Sequence, residues 1–548
     1  MLMNIDTMRS ILEERLIELL AIRLDCHKMP TKSLVMVKRL ANQKDLHSQS
    51  SKQQVASRWL TAAKWLAIFI LLCLWSSFVL ASETSDPFGT DAMLPLKPGL
   101  RLGDTVGDPC EAQSLDHALN LLEVVNLALC NNPQTRVVWA TSRVQAAQVG
   151  VSKAGYLPSV SLSASDNRIS GTTYGVNTPG VNQRSIGVTL SYLLYDFGLR
   201  SANLENARQL LAAASATQDS TVQTIFLAAV QAFYQSQATL AALDAAIESE
   251  RAAKESFAAA EARYNAGTAT PADKLQAQTA YSQATLNRIT ADGNLKNAQG
   301  ALANMLGLDA NRHVLLTTAN TTAMPNDFEG DINALIEEAR QRRPDLQASA
   351  AQVKAAQASA DAARAAGRPS ISLTASADRY NTSGINSHGS LVGINLSVPI
   401  FSGYATTYRV RGAEAQMDVR NGQLEQLRLQ VALDVWTAYQ NLTTATQSLR
   451  SSADLLSSAE QSGRVALGRY KAGVGSILDV LNAQSALASA RQQRIQSTFN
   501  WNVSRATLAQ AMGSLDAGLL QTLSDVSSQK PVTGDQQPGE NPPQTNQP

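Results

Sequence analysis

The chain carries one unit of about 200 residues twice, and this duplication limits its possible folds more than any other feature of the sequence. The segment RYNAGTATPADKLQAQ at Arg263–Gln278 returns as RYKAGVGSILDVLNAQ at Arg469–Gln484, with eight of sixteen positions identical. A period this long indicates duplication of a whole unit rather than a solenoid of short repeats. We therefore expect two equivalent halves, residues 115–307 and 332–517, joined by a linker at 308–331. Further matches pair NNPQTRV with RRPDLQA, GYLPSVSLSAS with GRPSISLTAS, YDFG with IFSG, and ALANMLG with TLAQAMG.

Each half contains two short segments in which apolar residues alternate with small polar ones. This period-two pattern predicts β-strands with one apolar and one polar face. In an exported protein the pattern fits a membrane barrel whose apolar face meets lipid; an ordinary sheet with one buried face is the alternative. Turns rich in Gly, Asn, Ser and Thr are expected at Gly171–Gly180 and Asn381–Gly389. The apolar positions are Val160, Leu162, Ala164, Ile186, Val188, Leu190, Ile371, Leu373, Ala375, Val392, Ile394, Leu396 and Val398.

A very long helix is expected in each half. Residues 199–266 contain neither Gly nor Pro, and 68 helical residues would span about 100 Å. The second copy covers about residues 404–472. Each long helix should end at a glycine, Gly267 or Gly473, because glycine accepts the left-handed conformation that terminates helices. The repeated segment therefore predicts a hairpin tip, with return helices at about 272–306 and 477–512. Further helices are expected at about 115–154 and 332–366.

Four strands per chain are too few to close a sheet in a membrane. An open sheet in lipid leaves backbone groups unpaired at its edges, which a bilayer does not tolerate. Membrane barrels need at least about eight strands. We therefore expect a mainly α-helical chain with a membrane β-barrel to which several copies contribute strands. The long helical hairpins would extend away from the membrane.

The first 81 residues have the features of an extended signal peptide. Arg58 and Lys64 precede the apolar run WLAIFILLCLW, and Val79 and Ala81 occupy the small-residue positions of a cleavage site. A transmembrane anchor is the alternative, although the apolar run is shorter than the roughly 20 residues that a span needs. No cysteine stands at the cut, which argues against a lipid anchor. Residues 82–114 would then form a periplasmic lead segment, and the Pro/Gln-rich residues 518–548 a disordered tail.

Removal of the signal peptide would leave two cysteines, Cys110 and Cys130. Two thiols in an oxidising compartment favour a disulfide, which would tie the lead segment to the first helix. Two unpaired cysteines are the alternative.

Taken together, these features resemble the TolC family of outer-membrane channel proteins. The resemblance rests on the tandem duplication, on YLLYDFG before a long helix, on NNP in the first half, and on YxAGxxxxxDxLxAQ at both tips. It covers about residues 115–517, and it implies that the linker at 308–331 is an equatorial linker. It implies a homotrimer with a twelve-stranded barrel in the outer-membrane lipid and a twelve-helix periplasmic tunnel. It also implies two partners, a periplasmic adaptor protein and an inner-membrane pump that is either an ABC or a proton-driven transporter.

The resemblance further implies a gate at the periplasmic end of the tunnel. Asp479 matches the family's first gate aspartate, Asn482 stands where the second would be, and Gly475 stands where the family has an arginine. Tyr470 and Asp273 match the gate tyrosine and its carboxylate partner. A trimer would then place three carboxylates rather than six at the constriction. For Asp479 the alternative role is that of a helix-start residue that binds backbone amides.

The expected function is export across the periplasm and outer membrane as part of a tripartite pump. The stretch DPC…LALCNNPQTR at residues 108–136 resembles family members that serve type I protein secretion. The absence of a lipid anchor favours the same group. Outer-membrane drug efflux is the alternative, and a structural coiled-coil surface fibre is a remote one that the amphipathic strand pairs argue against.

An enzyme is not expected. The histidines after residue 81, His117, His313 and His388, are dispersed, and the chain has no HExxH, GxSxG, P-loop or metal-spaced cysteine motif. No cofactor or metal is therefore expected. The chain has 46 basic and 45 acidic residues, and this balance gives no indication of nucleic-acid binding.

Overall fold

The computed structural model describes residues 86–94, 117–173, 176–317 and 331–515. The expected signal peptide, most of the lead segment including Cys110, most of the equatorial linker and the expected tail lie outside these residues. Among the described residues, no helix combines the length and the apolar character that crossing a membrane requires.

Both halves follow the same order of elements, so the duplication in the sequence is a structural repeat. The long helices have 67 residues each and the return helices 35 each. The first half consists of α1 (Leu121–Asn131), α2 (Pro133–Ala154), β1 (Ser159–Thr173), β2 (Val176–Tyr195), α3 (Leu199–Asn265) and α4 (Pro271–Met305). The second half consists of α5 (Ile332–Arg342), α6 (Pro344–Ala365), β3 (Ser370–Thr382), β4 (Ile385–Ser397), α7 (Ala405–Lys471) and α8 (Ile477–Ala511).

The helix that precedes the strands in each half is in fact two helices. The prediction of one continuous helix over 115–154, and of another over 332–366, was wrong at Asn132 and Arg343. The backbone there is extended, with ψ angles of 129° and 123°. The next residue is a proline in both cases, and proline disfavours a helical conformation in the residue before it. Pro133 and Pro344 then begin α2 and α6, the helix position at which the missing amide hydrogen costs least.

The four strands form one antiparallel sheet in the order β1-β2-β3-β4. β2 of the first half pairs directly with β3 of the second, so the sheet is continuous across the duplication. The connecting turns are shorter than expected: β1 and β2 extend to Thr173 and Val176, and only Ser383 and Gly384 separate β3 from β4. Segments rich in Gly and Asn can join the sheet because its ladder uses backbone groups, which these residues also carry.

The helices next to the sheet lie side by side in the order α2-α3-α6-α7, the order of the strands to which they connect. Farther from the sheet, α3 with α4 and α7 with α8 form two hairpins, and α3 packs against α8. Large apolar side chains gather near the helix breaks. One core lies around Phe226 of α3 and Leu302 of α4, both fully buried, and a second core surrounds Trp501 of α8. The hairpins therefore extend from a packed middle region to two tips.

Candidate functional site

The two hairpin tips are built in the same way. Gly267 and Gly473 follow the long helices with φ angles of +74° and +79°, a region in which a Cβ would be strained. Each return helix then begins with a capping box. In the first tip Thr270 and Asp273 exchange hydrogen bonds between side chain and backbone, and in the second tip Ser476 and Asp479 do the same. Both ends of each tip loop are thus fixed by local interactions.

Asp479 lies exposed at the second tip. Its carboxylate accepts a hydrogen bond of 3.2 Å from the Ser476 amide. That amide, the Ser476 hydroxyl and the nearby Arg469 hold the pKa of Asp479 below its usual value, although desolvation opposes them. Asn482, also exposed, lies about one turn farther along α8, and both residues line a groove between α7 and α8 together with Arg469. The structure therefore brings Asp479 and Asn482 together, and it also gives Asp479 a helix-capping role.

Tyr470 lies buried at the second tip, with 6% of its surface exposed. Arg263, which belongs to the first half, stacks on the tyrosine ring with its guanidinium carbon 4.2 Å from the ring centre. Nη2 of Arg263 also donates a hydrogen bond of 2.6 Å to the backbone oxygen of Tyr470. This contact connects the two hairpins through residues 207 positions apart.

Asp273 makes no hydrogen bond to Tyr470 within the described residues of one chain. Its carboxylate accepts instead from the amide and the hydroxyl of Thr270, at 3.0 and 2.8 Å. The pairing of Tyr470 with Asp273 that the family resemblance implies therefore stays a prediction for the assembled protein.

Gly475 is packed tightly against the end of α7. A Cβ at this position would lie 3.1 Å from the Tyr470 amide nitrogen and 3.1 Å from the Arg469 Cβ. A larger residue would require the tip loop to shift. The guanidinium that contacts Tyr470 in this chain is supplied by Arg263 of the other hairpin.

The tips are also joined by apolar packing. Ala260 and Ala277 of the first hairpin form one buried cluster with Tyr470, Ile477 and Val480 of the second. Farther from the tip, Gln484 Nε2 donates a hydrogen bond of 2.9 Å to Ser256 Oγ across the same boundary. The two tips of one chain thus form a packed pair.

The sheet, unlike the tips, lacks partners within the chain. Large apolar side chains lie exposed on one face, among them Val160, Val392 and Ile394 at 66%, 76% and 70% exposure. In the described chain, β1 and β4 each pair along one edge only. The exposed face and the open edges both require contacts from outside this chain.

Cys130 is disulfide-bonded. The other cysteines of the chain all lie outside the described residues, so the pairing of Cys130 with Cys110 stays a prediction. In the part of the chain that the structure describes, no group of three or more His, Cys, Asp or Glu side chains is arranged to hold a metal ion.

Arg263 is the tip residue that sequence reasoning missed. Both copies of the repeated segment carry arginine at this position, Arg263 and Arg469. This identity is a sequence signal, but it does not reveal that Arg263 reaches across to the other hairpin.

A family model described as "Outer membrane efflux protein" matches residues 124–308 and 335–514, one match in each half. Protein CyaE of Bordetella pertussis is 32% identical over 454 residues, which cover 81% of this chain and 95% of that protein. Outer membrane protein TolC of Escherichia coli is 24% identical over 456 residues, 80% of this chain and 90% of that protein.

A solved structure of the outer-membrane channel OprN shares the fold. It superposes with a TM-score of 0.65 at 22% identity and covers 76% of this chain and 99% of the OprN chain.

Proposed function

Because the chain belongs to the outer membrane efflux protein family, we propose that three copies of it assemble into an export channel for type I protein secretion. The chain is an outer-membrane channel protein that extends into the periplasm, and its family consists of channels rather than enzymes. The number of copies, the class of cargo and the partner proteins are the proposed part.

One observation supports a channel shared between copies: the sheet has an exposed apolar face and two open edges. Unpaired backbone groups in lipid cost several kcal/mol each, so membrane sheets close into barrels. Within one chain β1 and β4 lie at opposite edges, so the sheet closes when β1 of one copy pairs with β4 of the next. When this β1–β4 pairing is repeated around a symmetry axis, no strand edge is left unpaired.

Three copies suit a channel better than two. An eight-stranded barrel is so narrow that side chains fill its interior, whereas wider barrels hold water. Two copies would give the narrow barrel and three copies a twelve-stranded one. The polar face of the sheet, which includes Ser161, Thr189, Thr374 and Asn395, would then line an aqueous passage.

Protein secretion is favoured over drug efflux by the region around Cys130. Residues 108–136 resemble the family members that serve type I secretion, and Cys130 within this stretch is disulfide-bonded. On this proposal a periplasmic adaptor and an inner-membrane ABC pump deliver an unfolded protein to the tunnel. Small-molecule efflux is the second candidate, and the description of the matching family as efflux proteins favours it.

Disulfide crosslinking tests the shared barrel. Ser161→Cys on β1 is combined in turn with Gly393→Cys, Asn395→Cys or Ser397→Cys on β4, and oxidised membranes are analysed on non-reducing gels. We expect one combination to give a covalent trimer. Ser161→Cys with Thr189→Cys, which face each other within the sheet, should crosslink inside the chain and leave its mass unchanged. If the largest crosslinked species on the gel were a dimer, the proposal of three copies would be wrong.

Deletion of the gene tests the cargo class. We expect the culture medium to lose one or a few secreted proteins, while susceptibility to dyes, detergents and antibiotics stays unchanged. Complementation with the intact chain should restore the secreted proteins. Increased susceptibility with an unchanged set of secreted proteins would support efflux instead.

A further inference from the structure

The basic residues of the sheet follow a simple distribution. Each of the four strands carries one basic side chain: Arg168 on β1, Arg184 on β2, Arg379 on β3 and His388 on β4. All four side chains are exposed. We call this set the basic belt.

The strand register places the whole basic belt on the apolar face. Arg379 lies opposite Ile186 on one side and His388 on the other, so these three side chains share a face. Arg184 lies two positions from Ile186 along β2, which puts it on that face as well. Arg168 pairs with Asn182, a further two positions along the same strand. Basic side chains are therefore absent from the polar face of the described sheet.

The basic belt also lies at one level of the sheet. On every strand, the apolar positions occupy the part next to the helices and the basic residue lies nearer the hairpin turn. On β1 the order is Val160, Leu162, Ala164 and then Arg168. On β4, read from the helix end, it is Leu396, Ile394, Val392 and then His388. Since the helices extend into the periplasm, the basic belt lies toward the outer leaflet.

Most of the belt's charge is not neutralised within the chain. Arg184 Nε pairs with Asp166 at 3.0 Å, and both side chains are mostly exposed. Arg168 and Arg379 make no hydrogen bond or ion pair with any described residue. The second strand aspartate, Asp378, lies on the polar face opposite Gly187 and accepts a hydrogen bond from the Ser376 hydroxyl. The apolar face therefore carries a positive excess, and three copies would repeat it around the barrel.

We propose that the basic belt binds the phosphate groups of glycolipids in the outer leaflet of the outer membrane. Arginine presents a planar fork of donors that matches phosphate geometry. Basic residues that border an apolar membrane surface attract anionic headgroups. Side chains on the apolar face of a closed barrel point away from the lumen. The arginines of the basic belt would therefore contact lipid rather than the cargo passing through the channel. This inference rests on the proposed barrel, because only a closed barrel presents the four strands together to lipid.

Binding of defined lipids to the purified channel tests the inference. The trimer is titrated in detergent containing EDTA with diphosphorylated lipid A or with fully dephosphorylated lipid A, and bound lipid is counted by native mass spectrometry. The wild-type protein should prefer the phosphorylated lipid by about 10-fold or more. R168Q/R379Q should lower the affinity for it by about 5-fold per arginine. R168K/R379K, which keeps the charge, should retain most of the preference.

R208Q/R251Q serves as the matched control, because it removes two exposed arginines from α3 and none from the sheet. Single-channel conductance in phospholipid without lipid A is recorded for every variant. If the trimer conducts but shows no preference between the two lipids, phosphate binding by the basic belt is wrong and the proposed function is unaffected. The same conclusion follows if the control variant loses as much affinity for the phosphorylated lipid as R168Q/R379Q does. A chain that forms no conducting trimer overturns the proposed function and the belt with it.

Discussion

At the helix breaks, two different residues make the same contact in the two halves. Asn132 Nδ2 donates to the backbone oxygen of Met305, and Arg343 Nη1 donates to that of Ala511, at 3.4 and 3.5 Å. Met305 and Ala511 are the last residues of α4 and α8, where helices leave carbonyl groups without partners. The first half thus makes this contact with an amide and the second half with a guanidinium, which also forms ion pairs.

Arg343 should be among the most sensitive residues of this region. It pairs with Asp345 at 2.6 Å and Asp434 at 3.0 Å, and only 13% of its side chain is exposed. Burial opposes its charge, but the two carboxylates outweigh burial and raise the pKa of Arg343. Arg343→Ala leaves both carboxylates without this partner and should lower the free energy of unfolding by about 3 kcal/mol. Denaturation in guanidinium, followed by circular dichroism, measures the change.

Arg364→Ala is the control for this prediction. Arg364 also pairs with two carboxylates, Asp361 and Glu414, but its side chain is 42% exposed. Solvent screens pairs as exposed as these, so Arg364→Ala should cost far less stability than Arg343→Ala. Equal losses in the two variants would contradict a special role for Arg343.

Asp479 should control how cations block the channel. In the trimer its carboxylates would form a ring at the narrow end, so Asp479→Ala should weaken block by multivalent cations in planar bilayers. Because the hydrogen bonds with Ser476 hold the pKa of Asp479 below its usual value, the carboxylate stays charged at neutral and mildly acidic pH. Block should persist there and disappear only when the pH falls through that lowered pKa. Unchanged block in Asp479→Ala would contradict this role.

Ser476→Ala separates gating from helix capping. It removes the hydroxyl that caps α8 but keeps the Asp479 carboxylate. We expect a loss of stability of about 1 kcal/mol with cation block retained. If Ser476→Ala reduced block as much as Asp479→Ala, the cap rather than the charge would be responsible.

At the scale of elements, the two hairpins of one chain meet at their tips through both apolar and polar contacts. The stacking of Arg263 on Tyr470 and its hydrogen bond to the Tyr470 backbone are the polar part. Opening of a passage between hairpins requires these contacts to break or to move together. We therefore expect the stability of the tip contact to determine the fraction of channels that are closed.

Arg263→Ala should raise the conductance of the closed channel. A cation–π contact and a charged hydrogen bond together contribute about 2 kcal/mol, which corresponds to roughly 30-fold in the open population. Tyr470→Phe keeps the ring and the backbone oxygen, so it should raise conductance less. Arg251→Ala, on an exposed face of α3, is the control and should behave as wild type. Wild-type conductance in Arg263→Ala would contradict a role for this contact in closure.

The elements that could be predicted are those with local signals. Gly267 and Gly473 indicated where the long helices end, and alternation at positions such as Val160 and Leu162 indicated strands, because both signals arise from neighbours in the chain. The proline at Pro133 was also a local signal, yet the helical pattern on both sides concealed the break. The contact of Arg263 with Tyr470 could not be predicted, because it depends on how two distant hairpins pack.

At the scale of the whole molecule, the flanks of the helical layer carry apolar side chains without partners in one chain. On α2, Val137, Val144 and Val151 recur every seven residues and are 62%, 65% and 63% exposed. On α7, Tyr408 and Val419, which lie at a similar distance from the sheet, are 67% and 51% exposed. α2 leads into β1 and β4 leads into α7. When β1 of one copy pairs with β4 of the next, α2 is therefore brought beside the neighbouring α7, and the two apolar stripes can cover each other.

Val144→Asp should accordingly prevent assembly without unfolding the chain. The residue is exposed in one copy, so helix content measured by circular dichroism should not change. In the trimer the carboxylate would be buried against the apolar α7 stripe in every interface, at a cost of several kcal/mol each. Light scattering in detergent should then report monomers. Val474→Asp is the matched control, since Val474 is 69% exposed in the second tip loop and lies far from the stripe. If Val144→Asp still formed trimers as the wild type does, the copies would not meet along α2. Its exposed valines would then contact some other partner.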